Sequence, residues 1–142
     1  MKVENRNIKV IIDTNVLISF LIGKVLRKLQ YALNDDAIHL VSCEEQFLEL
    51  QDVLSRPKIL NYISAEKSQE FLDLLLTKSE LIALQTKTTI CRDSKDNYLV
   101  SLAIDSNADY LVTGDLDLLE LNNIGKTIVI KYTDFEEKIR KS

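Results

Sequence analysis

The sequence predicts an α/β fold in which a central parallel sheet of about five strands is covered by helices on both faces. The main observation is that short runs rich in β-branched residues alternate with longer segments of helical periodicity along the chain. The first run is apolar without interruption at residues 10–12, as is typical of a strand buried on both faces. A third observation is that 142 residues contain only 3 Gly and 1 Pro, which excludes a linker-rich architecture. The length therefore indicates one domain, residues 1–142.

The first half of the chain contains two predicted strands and three predicted helices. The first helix is apolar on nearly all sides, which favours burial in the core over a dimer face. The third helix ends before Pro57, because the residue ahead of a proline disfavours helical backbone. In order, the elements are a strand at 9–12, helices at 16–22 and 24–35, a strand at 38–41 and a helix at 43–54.

The second half continues the alternation and adds three predicted strands. Its helices are recognised by apolar residues that recur every three to four positions, and its strands by short apolar runs. In order, the elements are a helix at 65–78, a strand at 81–84, a polar loop at 86–95, a helix at 96–107, a strand at 110–113, a short helix at 115–121, a strand at 127–130 and a helix at 133–140.

The charge and the cysteine count exclude several classes of protein. With 18 Lys and Arg against 22 Asp and Glu, the net charge is 18 − 22 = −4, which argues against a polybasic nucleic-acid binder. Cys43 and Cys91 lie far apart without a C-x-x-C spacing, and the single His39 cannot build a histidine-rich zinc site. The N-terminus is polar and no apolar run reaches about 18 residues. We therefore expect a reduced, cytoplasmic protein without a membrane segment.

Three acidic residues follow predicted strands. Asp13 comes directly after the first strand, and Asp115 and Asp117 follow the strand at 110–113, across Gly114. In an open parallel sheet, ligands bind beyond the carboxyl ends of the strands. Each acid also has a simpler interpretation, since Asp13 suits a helix N-cap and the other two suit a turn.

Two further acids occupy predicted helices. Asp96 opens the apolar stripe that continues through Leu99, Val100 and Ala103, so we expect it to face the core. The alternative is a first-turn acid that interacts favourably with the helix dipole, and Asp93 is better explained as a loop or cap residue. On the helix at 43–54, Glu49 lies at the edge of the apolar arc, where a simple boundary residue is the alternative.

If these five carboxylates converge, their charges repel one another unless a cation holds them. A site made of carboxylates without His or Cys favours Mg²⁺ or Mn²⁺ over zinc. Such sites act on phosphate esters, since the ion polarises the phosphoryl oxygen and activates water. The pattern by itself indicates metal-assisted phosphoryl chemistry and no particular substrate.

Four segments in this order resemble PIN domains, and the resemblance spans about residues 8–135. They begin with Val-Ile-Ile-Asp-Thr-Asn at 10–15 and include Leu-Ser-Arg-Pro-Lys at 54–58. Asp-Ser-Lys-Asp-Asn at 93–97 and Leu-Val-Thr-Gly-Asp-Leu-Asp-Leu at 111–118 complete the match. The second and fourth segments look most like the prokaryotic group of toxins from toxin–antitoxin pairs, the VapC-like ribonucleases.

The resemblance implies a three-layer α/β/α sandwich and a Mg²⁺- or Mn²⁺-dependent ribonuclease. By position, the acidic cluster is Asp13, Glu49, Asp96 and Asp115, with Asp117 as an additional metal-binding acid and Asn15 and Thr113 as supporting polar residues. Asp13, Asp96 and Asp115 would hold the metal, directly or through water. Glu49 would orient or deprotonate the attacking water, or complete a second metal site.

The implied partners are an RNA substrate and a cognate antitoxin, and a homodimer remains an alternative. Without the five acids the chain has 22 − 5 = 17 acidic against 18 basic residues, so its acidity does not argue against RNA as the substrate.

Two other functions compete with this interpretation. A phosphatase of the HAD type would need an acid at the position of Asn15. A catalytically silent RNA-binding or scaffold module is the main alternative. Candidate phosphate contacts are Lys24, Arg27, Lys28, Arg56, Lys58, Arg92 and Lys95.

Overall fold

The computed structural model describes residues 8–23, 38–88 and 94–140. The predicted helix at 24–35, Cys91 and Asp93 lie outside these ranges. The strands are β1 (Ile8–Ile12), β2 (Ile38–Ser42), β3 (Ser79–Leu81), β4 (Tyr110–Val112), β5 (Asn123–Ile124) and β6 (Thr127–Ile130). The helices are α1 (Thr14–Ile22), α2 (Glu44–Leu54), α3 (Pro57–Leu60), α4 (Ala65–Lys78), α5 (Ser94–Ser106), α6 (Leu116–Leu119) and α7 (Tyr132–Arg140).

The strands form one sheet in the order β3-β2-β1-β4-β6-β5. The pairs from β3 through β6 are parallel, and β5 alone pairs antiparallel with β6. In the centre of the sheet, Ile12 at the end of β1 is in register with Val112 at the end of β4. The carboxyl ends of these two strands therefore lie side by side, and the segments that follow them start at the same edge.

Helices cover both faces of the sheet, which confirms the predicted fold class. Side chains alternate along β1, so Val10 and Ile12 join a first core cluster while Ile11 joins a second. The first cluster packs the sheet against α1, α2, α4 and α7, and the second packs it against α5 and α6. The result is a layer of helices on each side of a buried sheet.

Helix α1 is mostly part of the core, as its apolar sequence predicts. Leu17, Ile18 and Phe20 are buried in the first cluster, whereas Ser19 and Ile22 are exposed. Within the three described ranges, no helix is both long enough and apolar enough to cross a lipid bilayer.

The third strand differs from the prediction. Residues 79–81 form it instead of 81–84, because Ser79 is in register with Leu40 and Leu81 with Ser42. Strand β3 thus follows α4 without a loop, and Leu81 at the sheet edge is 49% exposed. Of the predicted strand at 81–84, only Leu81 belongs to β3, so the prediction is wrong for residues 82–84. Pairing with β2, which the apolar run does not report, fixes the residues that form the strand.

Two short elements were absent from the prediction. The helix at 44–54 ends before Pro57, as predicted, and Pro57 itself starts α3, since its fixed φ and missing N–H suit the first helical position. The second unpredicted element is β5, which forms a tight hairpin with β6. The hairpin turns at Gly125, whose φ of 59° is the left-handed conformation that such turns need. The sheet therefore has a sixth strand beyond the five parallel ones.

The segment after β3 is attached to α5 by Asp105. Its carboxylate accepts hydrogen bonds from the backbone N–H of Gln85 at 2.6 Å and from that of Thr86 at 3.0 Å. The hydroxyl of Thr86 donates a third hydrogen bond at 2.6 Å. These bonds hold the pKa of Asp105 below its usual value, chiefly through the Thr86 side chain. The C-terminal end of α5 is thereby fixed to the segment that follows β3.

Candidate active site

Asp13 lies at the carboxyl edge of the sheet, between the ends of β1 and β4. Its backbone N–H donates to the carbonyl of Val112 at 2.9 Å, so the pairing of β1 with β4 continues into this residue. The side chain is 8% exposed. The structure therefore places Asp13 where open parallel sheets bind ligands.

Thr113 connects Asp13 to the segment that follows β4. Its hydroxyl donates to Oδ2 of Asp13 at 2.7 Å and accepts a hydrogen bond from the backbone N–H of Asp115 at 3.0 Å. The Thr113 side chain is 1% exposed, and its own N–H donates to the carbonyl of Ile130 on β6 at 3.0 Å. Thr113 thus fixes one acid directly and positions the backbone of another.

Both strand-end acids also cap helices. Asp115 Oδ1 accepts hydrogen bonds from the backbone N–H groups of Asp117 at 2.8 Å and Leu118 at 3.1 Å, at the start of α6. Asp13 Oδ1 accepts a longer hydrogen bond, 3.4 Å, from the N–H of Asn15 at the start of α1. The simpler interpretation of these residues, that they are caps, therefore describes part of what they do.

Two other acids lie close enough to Asp13 to act on its carboxyl electrostatically. Burial raises the pKa of its carboxyl, and the hydrogen bond from Thr113 lowers it in part. The charges of Glu49 and Asp115 raise it further. Three carboxylates from three different elements therefore share one electrostatic environment, which a cation would relieve.

Glu49 lies on α2 and is half-buried, as expected for the edge of the apolar arc. Its Oε1 accepts a hydrogen bond from the Thr14 hydroxyl at 2.8 Å and another from the Tyr98 hydroxyl. Burial raises the pKa of Tyr98, and the contact with Glu49 raises it further. Glu49 thus meets α1 and α5 through hydroxyl groups next to Asp13.

Asp96 lies in the first turn of α5 and is 8% exposed. Leu99, Val100 and Ala103 on the same stripe are all buried in the second core cluster. The prediction that this acid opens the inward-facing stripe is therefore confirmed. Asp96 also lies two residues before Tyr98, whose hydroxyl contacts Glu49.

Sequence reasoning missed three polar residues at this edge, namely Thr14, Gln46 and Tyr98. Gln46 is 1% exposed and donates from Nε2 to the carbonyl of Ile12 at 2.7 Å, while its Oε1 accepts a hydrogen bond from Ser42. A usable signal for Gln46 was its place one turn before Leu50, on the buried side of α2. Tyr98 gave no comparable signal, because tyrosine is common in helices that pack on a sheet.

The donor set fits a divalent cation in its chemistry. The acids at this edge offer only oxygen ligands, which Mg²⁺ and Mn²⁺ prefer. Within residues 8–23, 38–88 and 94–140, however, no three acidic, histidine or cysteine side chains already surround one point as a metal would require. Asp13, Glu49 and Asp115 accept hydrogen bonds from hydroxyl or backbone donors, and each carboxylate keeps lone pairs that a cation could use.

The candidate phosphate contacts are described only in part. Arg56 Nη2 lies 2.8 Å from Asp52 Oδ2 on the exposed side of α2, so this arginine is paired. Lys58 is exposed on α3. Four others lie outside the described residues, namely Lys24, Arg27, Lys28 and Arg92. Lys95 lies on α5, but its side chain is not described.

Replacement of Thr113 by Val is expected to lower the free energy of unfolding by about 1–3 kcal/mol. Valine has nearly the same shape, but it leaves a carboxylate oxygen of Asp13 and the N–H of Asp115 without the hydroxyl that now contacts both. Thr113→Ser keeps the hydroxyl and should recover most of the loss. Urea denaturation of the two variants measures the difference, and equal stabilities would contradict this role of Thr113.

A family model, a relative by sequence and two solved structures each match most of this chain. A family model described as PIN domain matches residues 9–117. The uncharacterised protein MJ1680 of Methanocaldococcus jannaschii is 31% identical over 132 residues, which cover 91% of this chain and 84% of that protein. The structure of PAE2754 from Pyrobaculum aerophilum has a TM-score of 0.67 at 12% identity and covers 99% of this chain and 100% of its own.

A chain in the crystal structure of VapBC2 from Rickettsia felis, bound to a DNA fragment from the promoter, has a TM-score of 0.56 at 21% identity. The match covers 86% of this chain and 97% of that chain. At such low identities, the two solved structures establish the fold alone.

Proposed function

Because the chain belongs to the PIN domain family, we propose that it is a metal-dependent ribonuclease that hydrolyses RNA phosphodiester bonds at the carboxyl edge of its sheet. PIN domains are generally nucleases, and they typically use divalent metal ions. The observation that carries the proposal is the buried carboxyl of Asp13, whose pKa is raised by burial and further by the charges of Glu49 and Asp115. Like charges gathered at the ligand-binding edge of a sheet are a feature that folding alone does not require.

In this proposal Asp13, Asp96 and Asp115 hold Mg²⁺ or Mn²⁺, and Asp117 is a further ligand. Thr113 keeps the Asp13 carboxylate in place, and Asn15 lies at the exposed rim. Such an ion would polarise the phosphoryl oxygen and make a water molecule more acidic. Glu49 would orient or deprotonate the attacking water, or complete a second metal site.

We also propose that the protein is the toxin of a toxin–antitoxin pair and acts in the cytoplasm. The support is the likeness of its fold to a chain of the VapBC2 complex, together with the PIN domain match. The partner would be a cognate antitoxin protein. Co-purification with the product of a neighbouring gene, and relief of growth arrest by that product, would test this part separately from the nuclease activity.

A catalytically silent RNA-binding or scaffold module is the second candidate. The observation in its favour is that Asp13 and Asp115 already cap helices, so both acids have a structural use without any metal. The two candidates differ in what the protein does to RNA in the presence of a divalent ion.

Incubation of the purified protein with single-stranded RNA tests the proposed function. We expect cleavage with Mn²⁺ or Mg²⁺, no cleavage with EDTA, and recovery when excess Mn²⁺ is restored. Analysis of the fragments by gel electrophoresis separates cleavage from binding. RNA that is retained by the protein but stays intact at all Mn²⁺ concentrations would favour the silent module.

A further inference from the structure

We infer that Tyr98 and Thr14 are positioning residues that hold the Glu49 carboxylate at the candidate active site. The inference rests on the proposed function and takes the role of Glu49 in which its carboxylate completes a metal site. Neither hydroxyl belongs to the acidic cluster, and they come from two different helices, α5 and α1.

The two hydroxyl groups meet on the same oxygen atom. Thr14 Oγ1 donates to Oε1 of Glu49 at 2.8 Å, the Tyr98 hydroxyl donates to that oxygen too, and the two hydroxyl oxygens lie 3.2 Å apart. Among the described residues, the side-chain hydrogen bonds to Glu49 all end on Oε1. Two donors from separate elements fix the rotamer of the carboxylate, which leaves Oε2 as the oxygen for a ligand.

This arrangement also fixes Glu49 relative to Asp13. Thr14 follows Asp13 directly and is itself buried, and Nε2 of Gln46 lies 3.5 Å from its hydroxyl. Gln46 is anchored in turn to the carbonyl of Ile12 at the end of β1. Hydrogen bonds through Thr14 therefore fix the position of Glu49 relative to the end of β1, where Asp13 lies.

Packing alone does not explain a tyrosine at position 98. The ring packs against the second core cluster, a contact that phenylalanine would make equally well. A phenol hydroxyl in such a place costs free energy unless it is hydrogen-bonded, and its acceptor here is Glu49. The alternative is that the Tyr98 hydroxyl only links α5 to α2 and so contributes to stability. In that case removal of the hydroxyl would leave the Mn²⁺ affinity of the folded protein unchanged.

Tyr98→Phe tests the inference, with Tyr110→Phe as the matched control. Tyr110 lies on β4 with its ring against Phe135, outside the candidate site. We expect Tyr98→Phe to weaken Mn²⁺ binding and to reduce kcat for RNA by about 10–100-fold each, the usual range for residues that support metal ligands. The KM for RNA should stay unchanged, and Tyr110→Phe should match the wild type in all three quantities. Mn²⁺ binding is measured on RNA-free protein by electron paramagnetic resonance of the free ion.

A double-mutant cycle with Glu49→Gln separates positioning from stability. If Tyr98 acts through Glu49, adding Tyr98→Phe to Glu49→Gln causes no further loss of kcat or of Mn²⁺ affinity. Losses that multiply, or a Tyr98→Phe protein that binds Mn²⁺ and cleaves RNA like the wild type, would overturn the inference. If Tyr98→Phe does not fold, Thr14→Val removes the other donor and gives the same test.

The outcome distinguishes this inference from the proposed function. A wild-type protein that binds Mn²⁺ without cleaving RNA would contradict the proposed function only, because the Mn²⁺ affinities of the variants would still decide the role of Tyr98. A wild-type protein that does not bind Mn²⁺ would overturn both.

Discussion

Asp13→Asn is expected to reduce RNA cleavage by at least about 100-fold while the protein stays folded. Loss of a residue that only supports a metal ligand costs about 10–100-fold, and a ligand itself should cost no less. Asparagine keeps one oxygen, which can accept the hydrogen bond from the Thr113 hydroxyl, and the bond that it gives up is the longer one, 3.4 Å, from the N–H of Asn15. The fold should therefore persist. Initial rates of RNA cleavage at saturating Mn²⁺ measure the effect.

The same substitution is expected to raise the free energy of unfolding at neutral pH in metal-free protein. Burial, with the charges of Glu49 and Asp115, raises the pKa of Asp13 above its ordinary value of 3.8 in the folded state. The folded state then binds the proton more tightly than the unfolded state does. The stability of the wild type consequently falls as the pH rises from about 4 through the folded-state pKa. The asparagine side chain does not titrate, so the advantage of the variant should grow across that pH range. Urea denaturation in EDTA at a series of pH values checks this.

Asp73→Asn is the matched control for both experiments. Asp73 is an exposed acid on α4 that accepts a hydrogen bond from Gln69, one turn earlier on the same helix, at 3.0 Å. Its replacement should leave cleavage unchanged and stability within about 0.5 kcal/mol. Full activity of Asp13→Asn would contradict the assignment of the site, and a variant less stable than the wild type at neutral pH would show that Asp13 is mainly structural.

Phe71→Ala is expected to have the largest effect on stability, a loss of about 3–5 kcal/mol in the free energy of unfolding. Phe71 lies on α4, is fully buried in the first core cluster and shares that cluster with Leu50 and Leu54 of α2. Alanine removes the ring and leaves a cavity that the surrounding side chains can fill only in part. The loss is a large fraction of the roughly 5–15 kcal/mol that stabilises a typical domain.

The control for this prediction is Leu76→Ala on the same helix. Leu76 is 55% exposed, so its truncation should change stability by no more than about 0.5 kcal/mol. Chemical denaturation of both variants gives the comparison. If Phe71→Ala costs less than about 1 kcal/mol, α4 does not pack as the structure describes, and the support that it gives to α2 and hence to Glu49 would have to be reconsidered.

The strand-end acids were predictable because their signal is local. A buried β-branched run followed at once by Asp13, and a second strand followed by Gly114 and Asp115, each identify a strand end within a few residues. Parallel topology then brings the two ends together, since Ile12 pairs with Val112. The inward direction of Asp96 was predictable for a similar reason, from helical periodicity alone.

The hydroxyl groups around Glu49 were not predictable from local pattern. Thr14 and Tyr98 are 84 residues apart, and Tyr98 and Glu49 are 49 residues apart. Their contact depends on how α5 crosses the sheet relative to α1 and α2, which no periodicity reports. The shift of the third strand to Ser79–Leu81 has a related cause, because pairing with β2 outweighs the local preference of the apolar run after it.

The most direct test of the central claim is an anomalous difference map from crystals of this protein grown with Mn²⁺. Ligand distances for a bound ion are about 2.0–2.6 Å, so the peak identifies its ligands without reference to activity. We predict a peak at the carboxyl edge of the sheet, bonded to carboxylate oxygens of Asp13 and at least one other acid of the proposed set. A map with no peak there at millimolar Mn²⁺, with Asp13 and Asp115 still in their capping positions, would contradict the claim that these acids form a metal site.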